Sequence, residues 1–149
     1  MESVYNQVKR FKKKYPDTIT HHRLKKHATV VEKHLNPGEE VTYAFAAQKN
    51  AKFYDFFETA VIAITNERIL IGQKRVLFGY FLSSVTPDLY NDLTVRSGLI
   101  WGSITIDTVK EEIELSNIDK SALPELETKI TSFMMEAKKK YKEKEDKKN

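Results

Sequence analysis

A chain of 149 residues with 40% hydrophobic and 31% charged residues is sized and composed for one globular domain with extensions. It holds no cysteine, which excludes disulfides and thiolate metal sites, and no apolar run approaches the roughly 20 residues of a membrane-spanning helix. The net charge of +4 is unevenly spread: residues 1–35 carry nine cations against three acids, 36–120 eight against twelve, and 121–149 eight against six, so a basic body that grips nucleic acid is not expected.

The first element is helical. In "SVYNQVKRFKKKY" the apolar residues Val4, Val8, Phe11 and Tyr15 recur at helical spacing, with Lys9, Arg10, Lys12, Lys13 and Lys14 around them. Pro16-Asp17 separates it from a second helix, "HHRLKKHATVVEKHL", whose stripe is Leu24, Ala28, Val31 and Leu35. "NPGEE" then stops that helix, because Pro37 cannot continue it and Gly38 accepts a turn. No apolar signal-peptide region opens the chain, and the expected location is the cytoplasm, with the inner face of the membrane as a peripheral site.

From Val41 to Asn117 the pattern is that of about seven short antiparallel strands. "VTYAFAAQ" alternates, and "TAVIAITNERILIG" is two apolar runs joined by "NER", where Asn66 is expected to supply the left-handed backbone of a two-residue hairpin loop. Both runs are apolar on both faces, so one face must lie on a core and the other must be covered. Gly79 in "RVLFGYFLSSV" is expected to bend or bulge a strand. "NDLTVRS", "SITIDTV" and "EEIELSNI" complete the set, a count that predicts a curled sheet, either a sandwich or a partly open barrel. Ser121 is placed to cap a last helix that accommodates Pro124, with Leu126, Ile130, Phe133, Met134, Ala137 and Tyr141 as a stripe plugging the sheet. The fold class is therefore α+β: a curled antiparallel sheet capped by one C-terminal amphipathic helix and preceded by two N-terminal helices.

That arrangement resembles the pleckstrin-homology (PH) superfold, and the residues resemble its bacterial YokE-like PH domain family. The resemblance rests on "NPGEEVTYAF", "AITNERILIG", "LFGY", "SGLIWGSITI" and "IELSNID", in that order, over roughly Leu35 to Tyr141. With the period and charge shifts, this divides the chain into a basic helical extension at 1–35, a bacterial PH-like domain at 36–141 and a charged tail at 142–149. The resemblance implies a non-enzymatic domain, and no cofactor, metal or small-molecule substrate is expected.

Function is read from three places. The connection between the first two strands, "QKNAKFYDFFE", sets Lys49 and Lys52 beside Phe53, Tyr54, Phe56 and Phe57. The rings are read as the start of a buried strand, with an interfacial anchor on anionic lipid as the alternative. The cluster Lys9, Arg10, Lys12, Lys13 and Lys14 offers a second basic surface, for an anionic membrane, an acidic partner or nucleic acid, with a helix that packs its stripe and leaves its lysines in water as the alternative. Arg68 is expected on the solvated side of its strand, paired with Glu67 or Asp107. His21, His22, His27 and His34 are not read as a metal site, because Arg23, Lys25, Lys26 and Lys33 repel a cation there. No nucleophile, acid–base or phosphate-loop constellation assembles. The reading favoured on sequence is an interaction domain for an unknown protein or a second copy of itself, with a peripheral membrane adaptor as the alternative and nucleic acid disfavoured.

Overall fold

A computed structural model describes residues 2–20, 23–49 and 58–149. Two helices, α1 (Val4–Lys14) and α2 (Leu24–Lys33), precede seven strands: β1 (Val41–Lys49), β2 (Glu58–Thr65), β3 (Ile69–Lys74), β4 (Tyr80–Val85), β5 (Tyr90–Ser97), β6 (Gly102–Thr108) and β7 (Glu112–Ile118). A 3-10 turn at Lys120–Ala122 leads into α3 (Leu123–Lys148). The strands form one antiparallel sheet in the order β4-β3-β2-β1-β7-β6-β5, with β4 and β5 as its edges among the described residues. The expected curled, partly open sheet with a C-terminal helix and two N-terminal helices is what the chain forms.

Curling creates an inside and an outside, and alternation along each strand assigns residues to them. Phe45, Ile62, Ile64, Ile69 and Ile71 face inward with Ile104, Ile106, Ile113 and Leu115, and Leu126, Ile130 and Met134 of α3 close this core. Ala44, Ala46, Val61, Ala63 and Leu70 face outward, where Val4 and Val8 of α1 and Ala28 and Val31 of α2 cover them. The two-sided apolar pattern of the central strands is thus explained by the N-terminal helices. The α3 stripe ends near Ala137, and Tyr141 stands in solvent.

The sheet has a weak seam. Among the described residues β1 and β7 pair at Gln48↔Ser116 and Lys49↔Leu115, and the end of α1 with the segment after it packs where they diverge. Phe11 packs on Phe45 at 5.6 Å between ring centroids, the Ile19 amide donates to Asn117 O, Gln48 Nε2 donates to Ile19 O, and the Asp119 amide donates to Thr18 Oγ1.

Three local expectations need correction. Asn66 does not adopt the left-handed region. The hairpin is closed instead by Thr65, whose amide donates to Arg68 O while its hydroxyl accepts from the amides of Glu67 and Arg68. Thr108 makes the same turn between β6 and β7, accepting from the amides of Lys110 and Glu111; a threonine hydroxyl substitutes for the backbone acceptor in both. Asn66 Oδ1 accepts from the Glu40 amide, so its side chain ties the turn to the entry of β1. Gly79 lies outside any strand: with φ +71° it closes the β3–β4 turn, where the Arg75 amide donates to Gly79 O. Ser121 does not cap α3; the Asp119 carboxylate accepts from the Ser121 amide and caps the 3-10 turn that leads into it.

Candidate functional site

The strand register sets which connections share an end of the sheet. Lys49 pairs with Glu58, Lys74 with Tyr80, Asp107 with Glu112 and Tyr90 with Thr108. The β3–β4 and β6–β7 turns therefore stand at the end where β1 finishes and β2 begins. The first turn of α2 joins them, since Arg23 Nη2 donates to Arg75 O at 3.2 Å and the Lys74 amide donates to His27 Nδ1 at 2.7 Å. The C-terminal part of α3 runs along β5 to the β4–β5 connection: Leu123 begins it against Gly102, Lys138 Nζ lies 5.5 Å from the Tyr90 ring centroid, and Lys138, Tyr141 and Lys142 line a groove with Pro87 and Asp88. Beyond that point the helix is exposed, with seven lysines against three acids from Lys138 to Lys148.

Among the described residues the β3–β4 tip is the most apolar exposed feature of this end. Val76, Leu77 and Phe78 are 83%, 82% and 83% exposed in succession. Side chains of that kind belong in a core or against something else, and a monomer's largest exposed apolar patch is commonly functional. The base of the tip is held firmly, by the two α2 contacts above and by the Arg75 guanidinium 4.6 Å from the Phe81 ring centroid. Lys74 and Arg75 lead into it and Arg23 is bonded to its base; the elements of this end carry in all the cations Arg23, Lys25, Lys26, Lys49, Lys74, Arg75 and Lys110 against the acids Glu58, Asp107, Glu111 and Glu112. Val109 adds a further exposed aliphatic group in the β6–β7 turn.

A second apolar tip, Leu99 and Ile100 between β5 and β6, is equally bare, with Leu99 94% exposed. It stands at the opposite end, and its setting is different in charge. Trp101 Nε1 donates to Asp17 O beside it, the Asp17 amide bonds Asp119 Oδ2, and Glu125 stands in the first turn of α3. Lys120 Nζ donates to Leu99 O at 3.3 Å, so this tip has one cation in contact beside the carboxylates of Asp119 and Glu125.

The residues singled out from sequence are divided by the fold. Lys49, half-buried, lies at the cationic end; Lys52, Phe53, Tyr54, Phe56 and Phe57 fall outside the described residues. The α1 cluster is elsewhere, because α1 is tied at Val41 O by Gln7 Nε2 and at Glu125 by Lys14, both at the far end. There Arg10 pairs with Glu2, and Lys12 donates to Thr18 O and Thr20 Oγ1, so burial lowers its pKa. Lys9 lies over the Tyr5 ring, and Lys13 is exposed. Sequence reading missed the tip, although "KRVLFGYF" carried its signal: two cations, three apolar residues and a turn glycine.

Arg68 also departs from expectation. It pairs with buried Glu39 rather than Glu67 or Asp107, through Nε to Oε2 at 3.0 Å and Nη2 to Oε1 at 2.9 Å, and it donates to His34 O and Ser84 Oγ. Burial pushes the Glu39 carboxyl upward, but Arg68, the Asn36 amide and the Thr65 hydroxyl outweigh it and hold it below the usual carboxylate range. This network joins the end of α2, the β2–β3 turn and β4, and its role is structural. His27 and His34 are likewise engaged, His34 between Val30 O and the Tyr80 hydroxyl. Among the described residues no group of His, Asp and Glu is arranged to hold a metal ion, and no helix is long and apolar enough to cross a membrane.

A family model described as a bacterial PH domain matches residues 35–132. Among solved structures, the C-terminal domain of an unknown protein from Leishmania infantum is similar at 16% identity, over 66% of this chain and 86% of that one, with a TM-score of 0.49. Comparison with curated proteins gives no match.

Proposed function

The chain belongs to the bacterial PH domain family, and from that premise we propose that it is a non-enzymatic interaction domain whose β3–β4 end docks on anionic membrane surfaces. The order of the five sequence motifs is our ground for its YokE-like branch and for a domain at 36–141 carrying a basic helical extension and a charged tail. One observation carries the docking reading: Val76, Leu77 and Phe78 project bare from a firmly held hairpin on a cationic end. Burial of an aliphatic or aromatic side chain contributes on the order of 1.5–3 kcal/mol, and each Lys or Arg near an anionic surface about 1 kcal/mol. The two contributions are comparable in size, so losing either weakens docking measurably. The chain then works as a cytoplasmic protein held at the inner face of the membrane. A protein partner, the favoured reading on sequence, finds its surface elsewhere, along the β4 edge.

The test is flotation with vesicles of phosphatidylcholine alone or mixed with phosphatidylglycerol. The native chain is expected to float with the anionic vesicles at low salt and to lose binding as salt screens the cations. Replacing Val76, Leu77 and Phe78 together by Ser abolishes flotation while melting stays native-like. Replacing Leu99 and Ile100 by Ser, an equally bare tip at the wrong end, leaves it unchanged. A native chain that ignores anionic vesicles, or two tip variants that behave alike, would overturn the reading.

A further inference from the structure

The two edges of the sheet differ in a way that points to a partner. β5 is protected: its sequence "YNDLTVRS" sets Asp92 and Arg96 in the strand, and its ladder with β6 is irregular between Tyr90 and Asp92. Charges and bulges of this kind keep edge strands from adding a neighbour. β4 has neither. "YFLSSV" contains no charge and no proline, and its register with β3 runs unbroken from Ile69↔Val85 to Lys74↔Tyr80.

Among the described residues that edge is met by the end of α2 at Tyr80, whose hydroxyl lies 2.9 Å from His34 Nε2. α2 lies chiefly on β2 and β3, while α3 packs on β5 and β6. Tyr80 and Phe81 are 49% and 45% exposed at the edge, and nothing among the described strands pairs beyond them.

We propose that β4 pairs antiparallel with β4 of a second copy of this chain, joining two sheets across a two-fold axis at Leu82. The second copy, rather than an arbitrary peptide, is favoured by the composition of the strand. In a two-fold antiparallel pair, opposed residues share a face of the sheet, so positions related by the axis must have the same parity. Centring on Leu82 opposes Leu82 to itself, Phe81 to Ser83 of the second copy, and Tyr80 to Ser84. Each half-exposed ring thus meets a small hydroxyl residue and gains cover without collision, on both faces at once. The strand is its own complement in size. Only six residues per copy take part, which places the contact near the lower limit of stable interfaces, about 1,200 Å² in total, and makes the dimer reversible.

The absence of cysteine makes the test clean. Sedimentation velocity of the native chain from micromolar to millimolar concentration should show a reversible shift from monomer to dimer. Phe81→Lys, which adds charge at an already exposed position, should shift the midpoint at least tenfold upward with unchanged melting. Leu82→Cys should form a covalent dimer under mild oxidation, because Cα atoms opposed across an antiparallel pair lie within disulfide reach. Asn91→Cys on the β5 edge should not. A native chain that stays monomeric throughout, with Leu82→Cys cross-linking no faster than Asn91→Cys, overturns the proposal. So does a dimer that survives Phe81→Lys and fails to cross-link at position 82. None of these measurements uses a membrane, so failure of the docking reading leaves them intact.

Discussion

Arg68 shows how much a single side chain holds when its partner is buried. The Glu39 carboxylate is fully covered and takes two guanidinium hydrogen bonds, an amide and a hydroxyl, so deleting Arg68 leaves a buried charge without its counter-ion. Removing one member of such a pair costs about 3–5 kcal/mol, and Arg68→Ala should lower the urea midpoint accordingly, whereas Arg68→Ala combined with Glu39→Gln should recover part of the loss. Because Glu39 is held below its ordinary value of 4.5, its contribution is complete above that pH and fades as pH falls through the folded-state value. His27 titrates in a different window. Its Nδ1 accepts the Lys74 amide, and burial, aided by Arg23, lowers its pKa from 6.5 to about 4. Between those values the unfolded chain binds the proton and the folded chain does not, so stability contributed by His27 is complete above pH 6.5 and lost on descending toward 4. Urea titrations of the native chain and of His27→Gln across that range should differ in slope, the variant being flatter; equal slopes would mean that the ring is freely protonated in the fold.

At the scale of elements, α1 is part of the body and not a loose appendage, although the family-matched residues begin after it. Val4 and Val8 cover the outer face of the sheet, and Phe11 with Tyr15 closes the seam where β1 leaves β7. Phe11→Ala should cost about 3–5 kcal/mol, the usual loss for an aromatic truncated in a core, and deleting residues 1–15 should cost more; a melting temperature unmoved by Phe11→Ala would show that the seam closes without it. The period of each segment made its type readable in the sequence: alternation for β1, β2 and β6, and a 3.6-residue stripe for α1 and α3. Even the need for a cover over the central strands followed from their two apolar faces. Which element supplies the cover did not follow, because an amphipathic stripe specifies that a helix packs and not where. Turn chemistry was legible in type and misassigned in atom, since Asn66 and Thr65 are adjacent turn formers and only the backbone angles separate their roles. Arg68 was unreadable for a related reason: its partner lies 29 residues away in sequence, and nothing in a local window announces that contact. The β3–β4 tip failed to stand out because an apolar run beside a glycine reads as a bent strand until Gly79 is seen to end it.

For the whole molecule, the two proposed surfaces combine in a way that neither implies alone. The docking tip leads directly into β4, so an antiparallel β4–β4 pair sends the two tips toward opposite ends of the joined sheet. A dimer therefore cannot set both tips on one flat membrane, and instead offers one cationic end to each of two surfaces. Docking alone needs the tip, whereas bringing two vesicles together needs the tip and the β4 edge. Anionic vesicles mixed with native protein at concentrations that populate the dimer should cluster, seen as a rise in light scattering that reverses when salt is added. Phe81→Lys should float with single vesicles nearly as well as the native chain, having gained a cation near the tip, but should not cluster them. The triple Ser variant at Val76, Leu77 and Phe78 should do neither, while still forming the dimer in solution. Ending the chain at Ala137, the last partly buried position of α3, should leave melting unchanged and weaken flotation through the loss of seven lysines against three acids. Clustering by Phe81→Lys equal to that of the native chain would separate the two surfaces and show that docking does not run through paired β4 edges.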